Sequence, residues 1–126
     1  MTFMTNSLPM NLQRGNVVLC QVPMPSTQLQ QFKIRPALIV SADRLNQILD
    51  DVMIVACTSN TSRSLTVTQY LITGEEIASA GIRVESVVRC ESIFTLNKLM
   101  IIRKLGSLSA EAMNQVNSCL MVALEL

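Results

Sequence analysis

Ser86-Val87-Val88-Arg89-Cys90-Glu91-Ser92-Ile93 is the stretch from which the fold reads. A β-strand turns successive side chains to opposite faces, so Val88 and Cys90 point one way while Arg89 and Glu91 point the other. One face packs onto a core. The other presents a guanidinium beside a carboxylate, either as a surface ion pair or as part of a site for phosphoryl chemistry.

Segments of similar length lie on both sides of it. Asn16 to Val22 follows Arg14-Gly15 as a first strand, and Pro23-Met24-Pro25 then opens a glutamine-rich loop running to Phe32-Lys33. Arg35-Pro36 begins a second strand whose apolar run, Ala37-Leu38-Ile39-Val40, is that of a strand buried on both faces. Ser41 to Asn46 reads as a short helical turn, and Val52 to Cys57 as a third strand ending in the polar cluster Thr58 to Ser62. Ser64 to Leu71 alternates as a fourth strand, and Gly74 to Gly81 is a connection. After the opening stretch come a turn at Asn97-Lys98-Leu99 and a further strand from Ile101 to Leu105. Ser109 then reads as an N-cap with Glu111 in the first turn, ahead of a stripe at Met113, Val116, Leu120, Ala123 and Leu124. Short strands closed by one terminal helix predict an α+β, mostly β fold, a small barrel with a C-terminal helix. Residues 1–13 read as a flexible N-terminal tail and residues 14–126 as one barrel domain.

Composition narrows the function. The chain is 49% hydrophobic and only 15% charged, more apolar material than its own surface accommodates, which points to a second subunit. A net charge of +1 gives no global field for coating duplex DNA, though it leaves room for a local basic site. The four cysteines, Cys20, Cys57, Cys90 and Cys119, form no CxxC pair, and the chain has no histidine to complete a zinc site. They read as buried reduced thiols of a cytoplasmic protein, and no metal or cofactor is expected. No apolar run approaches the roughly 18–20 residues of a membrane span, so no membrane partner is expected. The missing histidine also excludes serine–histidine and cysteine–histidine catalysis and leaves proton chemistry to carboxylates, hydroxyls or water.

Three segments place polar groups on an apolar strand: Lys33-Ile34-Arg35-Pro36, Cys57-Thr58-Ser59, and Arg89-Cys90-Glu91. Taken in order with Arg14-Gly15-Asn16-Val17-Val18-Leu19, Gly81-Ile82-Arg83 and Leu105-Gly106-Ser107-Leu108-Ser109, they resemble the PemK/MazF/Kid family of growth-inhibiting toxins over about residues 14 to 126. That resemblance implies an SH3-like barrel of the plasmid-toxin type, shared by MazF, Kid and CcdB, working as a homodimer. It implies metal-independent, sequence-specific cleavage of single-stranded RNA (mRNA) by the ribose 2′-hydroxyl, leaving a 2′,3′-cyclic phosphate and a 5′-hydroxyl. It also implies neutralisation by a cognate antitoxin protein.

By position, Arg35, Thr58, Ser59, Arg89 and Glu91 fall on the family's catalytic or phosphate-contacting sites, with Lys33 beside them as a substrate contact. Glu91 stands where the acid is usually aspartate, and Phe94 and Asn97 stand where relatives often carry arginine and aspartate. Such cleavage needs a base for the 2′-hydroxyl, donors for charge building on the phosphate, and a proton for the departing 5′-oxygen. Glu91 is the carboxylate of the constellation and is assigned as base. Arg89 and Arg35 are assigned as forked donors, because planar guanidinium suits oxyanions better than lysine does. An alternative keeps the fold without the chemistry: CcdB binds DNA gyrase through its C-terminal helix and cleaves nothing. Retention of Arg35, Thr58 and the Arg89–Glu91 pair favours the nuclease.

Overall fold

A computed structural model describes residues 10–23 and 31–126, and the described residues form six strands and three α-helices. The strands are β1 (Asn16–Pro23), β2 (Phe32–Ile39), β3 (Asp51–Thr58), β4 (Gln69–Ile72), β5 (Ser86–Asn97) and β6 (Ile101–Ser107). The helices are α1 (Asp43–Ile48), α2 (Glu76–Ala80) and α3 (Ala110–Leu124), with a 3-10 turn at Lys98–Met100. The glutamine-rich loop and most of the N-terminal tail lie outside the described residues. Of the tail, Leu12 is buried in the core, and the Asn11 carbonyl accepts from Lys104 Nζ at 3.3 Å.

All pairings are antiparallel, in the order β4-β5-β3-β2-β1-β6. The mostly β architecture with a C-terminal helix is as expected, but the sheet is open rather than a closed barrel. No ladder joins β4 to β6 among the described residues, and β4 has only four residues with which to make one. The helices occupy that edge instead: α2 packs on β6 and α3 on β4 and β5. Glycine makes the α2–β6 approach possible. A Cβ on Gly106 would sit 2.3 Å from the Ser79 carbonyl oxygen, and one on Gly81, at φ +74°, would sit 2.1 Å from that of Leu105.

Two expectations shift in detail. The fourth strand was expected from Ser64 but begins at Gln69, because a turn (Gln69 N–H to the Thr66 carbonyl, 3.1 Å) precedes it and Leu65 and Val67 face outward. The connection from Gly74 to Gly81 contains a helix that Gly81 ends in the left-handed conformation.

The core has two halves, one on each side of the sheet. On one face α3 lays Ala112, Val116 and Cys119 against Val17, Leu38, Val55, Cys57, Val88 and Cys90. Of the expected stripe, Val116 is buried and Met113, Leu120 and Ala123 pack half-buried against the same core, while Leu124 in the last turn is exposed. On the other face Val18, Ala37, Ile39, Val52, Ile54 and Leu96 form the second half. All four cysteines are free and buried. No helix among the described residues is long and apolar enough to cross a membrane.

One irregularity in β5 sets which side chains reach the polar end of the sheet. Ile93 pairs with Val55 but Arg89 pairs with Ala56, so Cys90, Glu91 and Ser92 have no counterpart on β3. The Cys90 N–H turns instead to the Thr68 carbonyl, at 3.0 Å. An odd number of unmatched residues switches the alternation, which is how Arg89 and Phe94 come to line the same cavity.

Candidate active site

The polar end of the sheet is built where β2, β3 and β5 leave the second half of the core. Ala37 pairs with Ala56 and Ala56 with Arg89, so these residues share a face, together with Arg35 and Thr58 two positions along their strands. Alanine at 56 leaves open the space that the larger side chains around it border. The opposite face of the same ladder carries Cys57 and Val88 into the core beneath α3.

Three neighbouring cavities open there, of about 620, 300 and 240 Å³, and Thr58 lines all of them. Lys33 and Arg35 border the two larger, Ser59 the largest, and Arg89 the two smaller. The Asn60 N–H donates to Thr58 Oγ1 at 3.2 Å, which leaves the Thr58 hydroxyl proton free to be donated into the groove. Phe94 and Ser92 complete the second cavity, where an aromatic ring offers a face to a base.

Glu91 stands apart from this lining. Its Oε1 accepts from Thr68 Oγ1 at 2.8 Å, and its Oε2 from Gln69 Nε2 at 2.9 Å and Arg89 Nε at 3.1 Å. Burial tends to raise its pKa, but the hydrogen bonds from Gln69, Thr68, its own backbone and Arg89 together hold the carboxyl below the usual carboxylate range. The group is therefore ionised at neutral pH and fixes the direction of Arg89.

Of the residues singled out in the sequence, Lys33, Arg35, Thr58, Ser59 and Arg89 come together around the cavities, while Glu91 touches the group through Arg89 alone. Sequence reasoning missed Arg63, Arg83 and Arg103, which also line the groove, and Thr68 and Gln69, which hold Glu91. Arg83 stands in the Gly81-Ile82-Arg83 segment but is given no role there, and no local pattern marks the others; they arrive from a loop, the α2–β5 connection, β6 and the start of β4. In all, six of the ten lysines and arginines line the three cavities and none of the nine carboxylates does. Arg89–Glu91 is the sole ion pair among the described residues, and the other five groove cations have neither an ion pair nor a hydrogen bond there. Such a concentration of uncompensated positive charge in a chain of net charge +1 suits a polyanion.

Comparison with known proteins gives a consistent result. Residues 13–124 match the family model described as PemK-like, MazF-like toxin of type II toxin-antitoxin system. The endoribonuclease MazF of Staphylococcus saprophyticus is 30% identical over 115 residues, which span 91% of this chain and 92% of that protein. Among solved structures, an endoribonuclease from a Mycobacterial species in complex with its cognate antitoxin is 27% identical. It superposes with a TM-score of 0.73, over 91% of this chain and 96% of its own. A second Mycobacterial endoribonuclease is 25% identical with a TM-score of 0.74, over 95% and 97% of the two chains. MazF from Deinococcus radiodurans, at 18% identity and a TM-score of 0.73 over 94% of this chain and all of its own, shares the fold.

Proposed function

The chain belongs to the PemK-like, MazF-like toxins of type II toxin–antitoxin systems, and from that premise we propose that it is an endoribonuclease that cleaves single-stranded RNA. The observation that carries this reading is the groove itself: a hydroxyl, Thr58, at the meeting point of three cavities lined by six cations and no carboxylate. The relatives named as endoribonucleases add support.

The scissile phosphate sits over Thr58, between Arg35 and Arg89. The ribose 2′-oxygen attacks phosphorus, the O2′–P bond forms and the P–O5′ bond breaks. Glu91 takes the 2′-hydroxyl proton: Oε1 carries one hydrogen bond and keeps a lone pair, reached directly or through one water. Its lowered pKa ensures the basic form but weakens its pull on the proton, placing its contribution near the lower end of the roughly 10²–10⁴-fold range of general bases. Arg35, Arg89 and the Thr58 hydroxyl donate to the non-bridging oxygens as charge develops there. A guanidinium with a pKa above about 12 is a poor acid, so water protonates the leaving 5′-oxygen. The products are a 2′,3′-cyclic phosphate and a 5′-hydroxyl. Lys33 and Ser59 hold the strand on either side.

The protein acts in the cytoplasm as a homodimer, and exposed apolar side chains such as Leu99 (91% exposed) and Ile48 (69%) support a covered surface. A cognate antitoxin binds and neutralises it, a reading supported by the Mycobacterial endoribonuclease solved in complex with its own antitoxin. The gyrase-binding alternative draws no support from the groove, because its cations serve no purpose in that role.

The test is incubation of the purified protein with single-stranded RNA in EDTA, with end-group analysis of the fragments. Fragments with cyclic-phosphate ends are expected, none at a bond whose 2′-hydroxyl is replaced by hydrogen, and a rate lowered about 10²–10³-fold in Arg89→Ala. Glu91→Gln keeps acceptor capacity for Thr68 but takes up no proton, and should lower the rate on the order of 10²-fold. Failure of the wild type to cut, or full activity in both variants, overturns the reading.

A further inference from the structure

We propose that Arg83 and Arg103 form a second anion subsite, at which the groove holds a backbone phosphate next to the scissile one. The inference rests on the endoribonuclease reading and adds to it where the substrate runs.

The groove has two cationic poles. Arg89 and Arg63 border the smallest cavity, while Arg83 and Arg103 border the largest, where Arg89 takes no part. Thr58 is common to both cavities, and Arg35 borders the largest as well as the cavity it shares with Arg89. One scissile phosphate brings a single negative charge, and Glu91 offsets only one of the six cations. Arg83 and Arg103 have no ion pair or hydrogen bond among the described residues and stand exposed at the mouth of the cavity. Unpaired like charges held together weaken a fold, so their convergence fits a polyanion that arrives from solution.

The chain brings them together through backbone rather than side-chain packing. Gly81 ends α2 in the left-handed conformation and, lacking a Cβ, lets the chain cross directly over the Leu105 carbonyl. Arg83 follows two residues later, and Arg103 precedes Leu105 by two on β6. The cavity that holds this pole and Thr58 also has apolar lining, with Ile34 (59% exposed), Ile82, Val84 (55%) and Leu105. A base or ribose rests on such a surface while the phosphates on either side meet cations. The subsite therefore takes a polynucleotide strand of at least two phosphates, and a substrate too short to reach Arg83 and Arg103 forfeits the contact.

The experiment compares wild type, Arg83→Ala/Arg103→Ala, and Arg44→Ala as a surface cation outside the groove. Two substrates are used: a long single-stranded RNA mapped to one cleaved bond, and a dinucleotide in which that bond carries the only phosphate. Wild type should favour the long RNA through KM. The double variant should raise KM for the long RNA about tenfold or more with kcat little changed, and lose most of the length preference. Each lost phosphate contact should also flatten the plot of log(1/KM) against log salt by about 0.7. Thermal unfolding checks that the variant is folded. A second arm reads binding alone, by fluorescence anisotropy of the same strand with every 2′-hydroxyl methylated, so that no nucleophile is present. Weaker binding by the double variant supports the subsite even where no cleavage occurs, in which case the nuclease reading fails and the anion track stands. Equal KM and equal anisotropy curves for wild type and double variant overturn the proposal, as does an equal effect of Arg44→Ala.

Discussion

The two faces of the β3–β5 ladder are one residue apart in sequence and opposite in chemistry. Cys57 and Val88 enter a core sealed by α3 with no charged group among its buried members. Ala56, Thr58 and Arg89 face a groove that gathers six cations and no carboxylate. A strand's two-residue period lets one backbone serve both sides. Both faces carry half of the core, but only the groove end of the second face gathers like charge without compensation, a sign of a surface shaped for a ligand. Stability and activity should therefore separate between core and groove.

The largest effect is expected on the core side. Leu38 is fully buried against α3's face of the sheet, and Leu38→Ala should cost about 2–5 kcal/mol, read by denaturant unfolding. Activity per folded molecule should stay near wild type. Arg35→Ala is the counterpart across the sheet. It should lower the rate about 10²–10³-fold, equivalent to about 2.7–4 kcal/mol at the transition state. Because Arg35 has no ion pair or hydrogen bond among the described residues and sits among like charges, the unfolding midpoint should hold or rise. A fall in stability as large as that of Leu38→Ala would break the comparison.

Alkaline pH acts on buried thiols in both halves of the core. Burial pushes the Cys57 and Cys90 thiols up to about 12 and Cys20 up to about 11, from the ordinary value of 9.0. These groups stay protonated in the folded chain while the unfolded chain ionises, so their contribution is whole below pH 9 and is lost as pH rises toward 12. The loss is on the order of 1 kcal/mol per thiol for each pH unit. Unfolding midpoints measured from pH 8 to 10.5 should fall, and a flat profile would refute the burial argument.

Much of the molecule was legible in the sequence, and the misses have a common cause. The strand cores at Ala37–Ile39, Val52–Cys57 and Val87–Cys90, the Ser109 cap and the buried thiols follow from periodicity and composition, which are local signals. Arg35, Thr58 and Arg89 were legible because each sits at a marked place on its own strand. Arg83 and Arg103 were not, since only the glycine-mediated crossing of α2 over β6 joins them. The unmatched residues Cys90 to Ser92 were hidden as well: alternation is read one strand at a time, and a register shift belongs to a pair. The open sheet edge escaped for the same reason, being decided by α2 and by the shortness of β4.

The smallest effect probes a polar link between α3 and the α2 segment that leads to the groove. Ser109 Oγ accepts from the Ala112 N–H at 3.1 Å as the cap of α3 and donates to Glu76 Oε1 of α2 at 3.0 Å. Ser109→Ala should cost about 1 kcal/mol through the lost cap. Ser109→Thr should recover most of it, and Ser109→Asp less, because a second carboxylate would then face Glu76. The same α2 leads through Gly81 to Arg83, so a loosened tether is the route by which a core mutation could reach the groove. Two backbone contacts argue against that route: Gly81 and Gly106 lock α2 onto β6 independently of Ser109. The expected outcome is thus a small loss of stability with KM for long RNA unchanged. A rise in KM matching that of the Arg83/Arg103 double variant would show instead that α2 couples the faces.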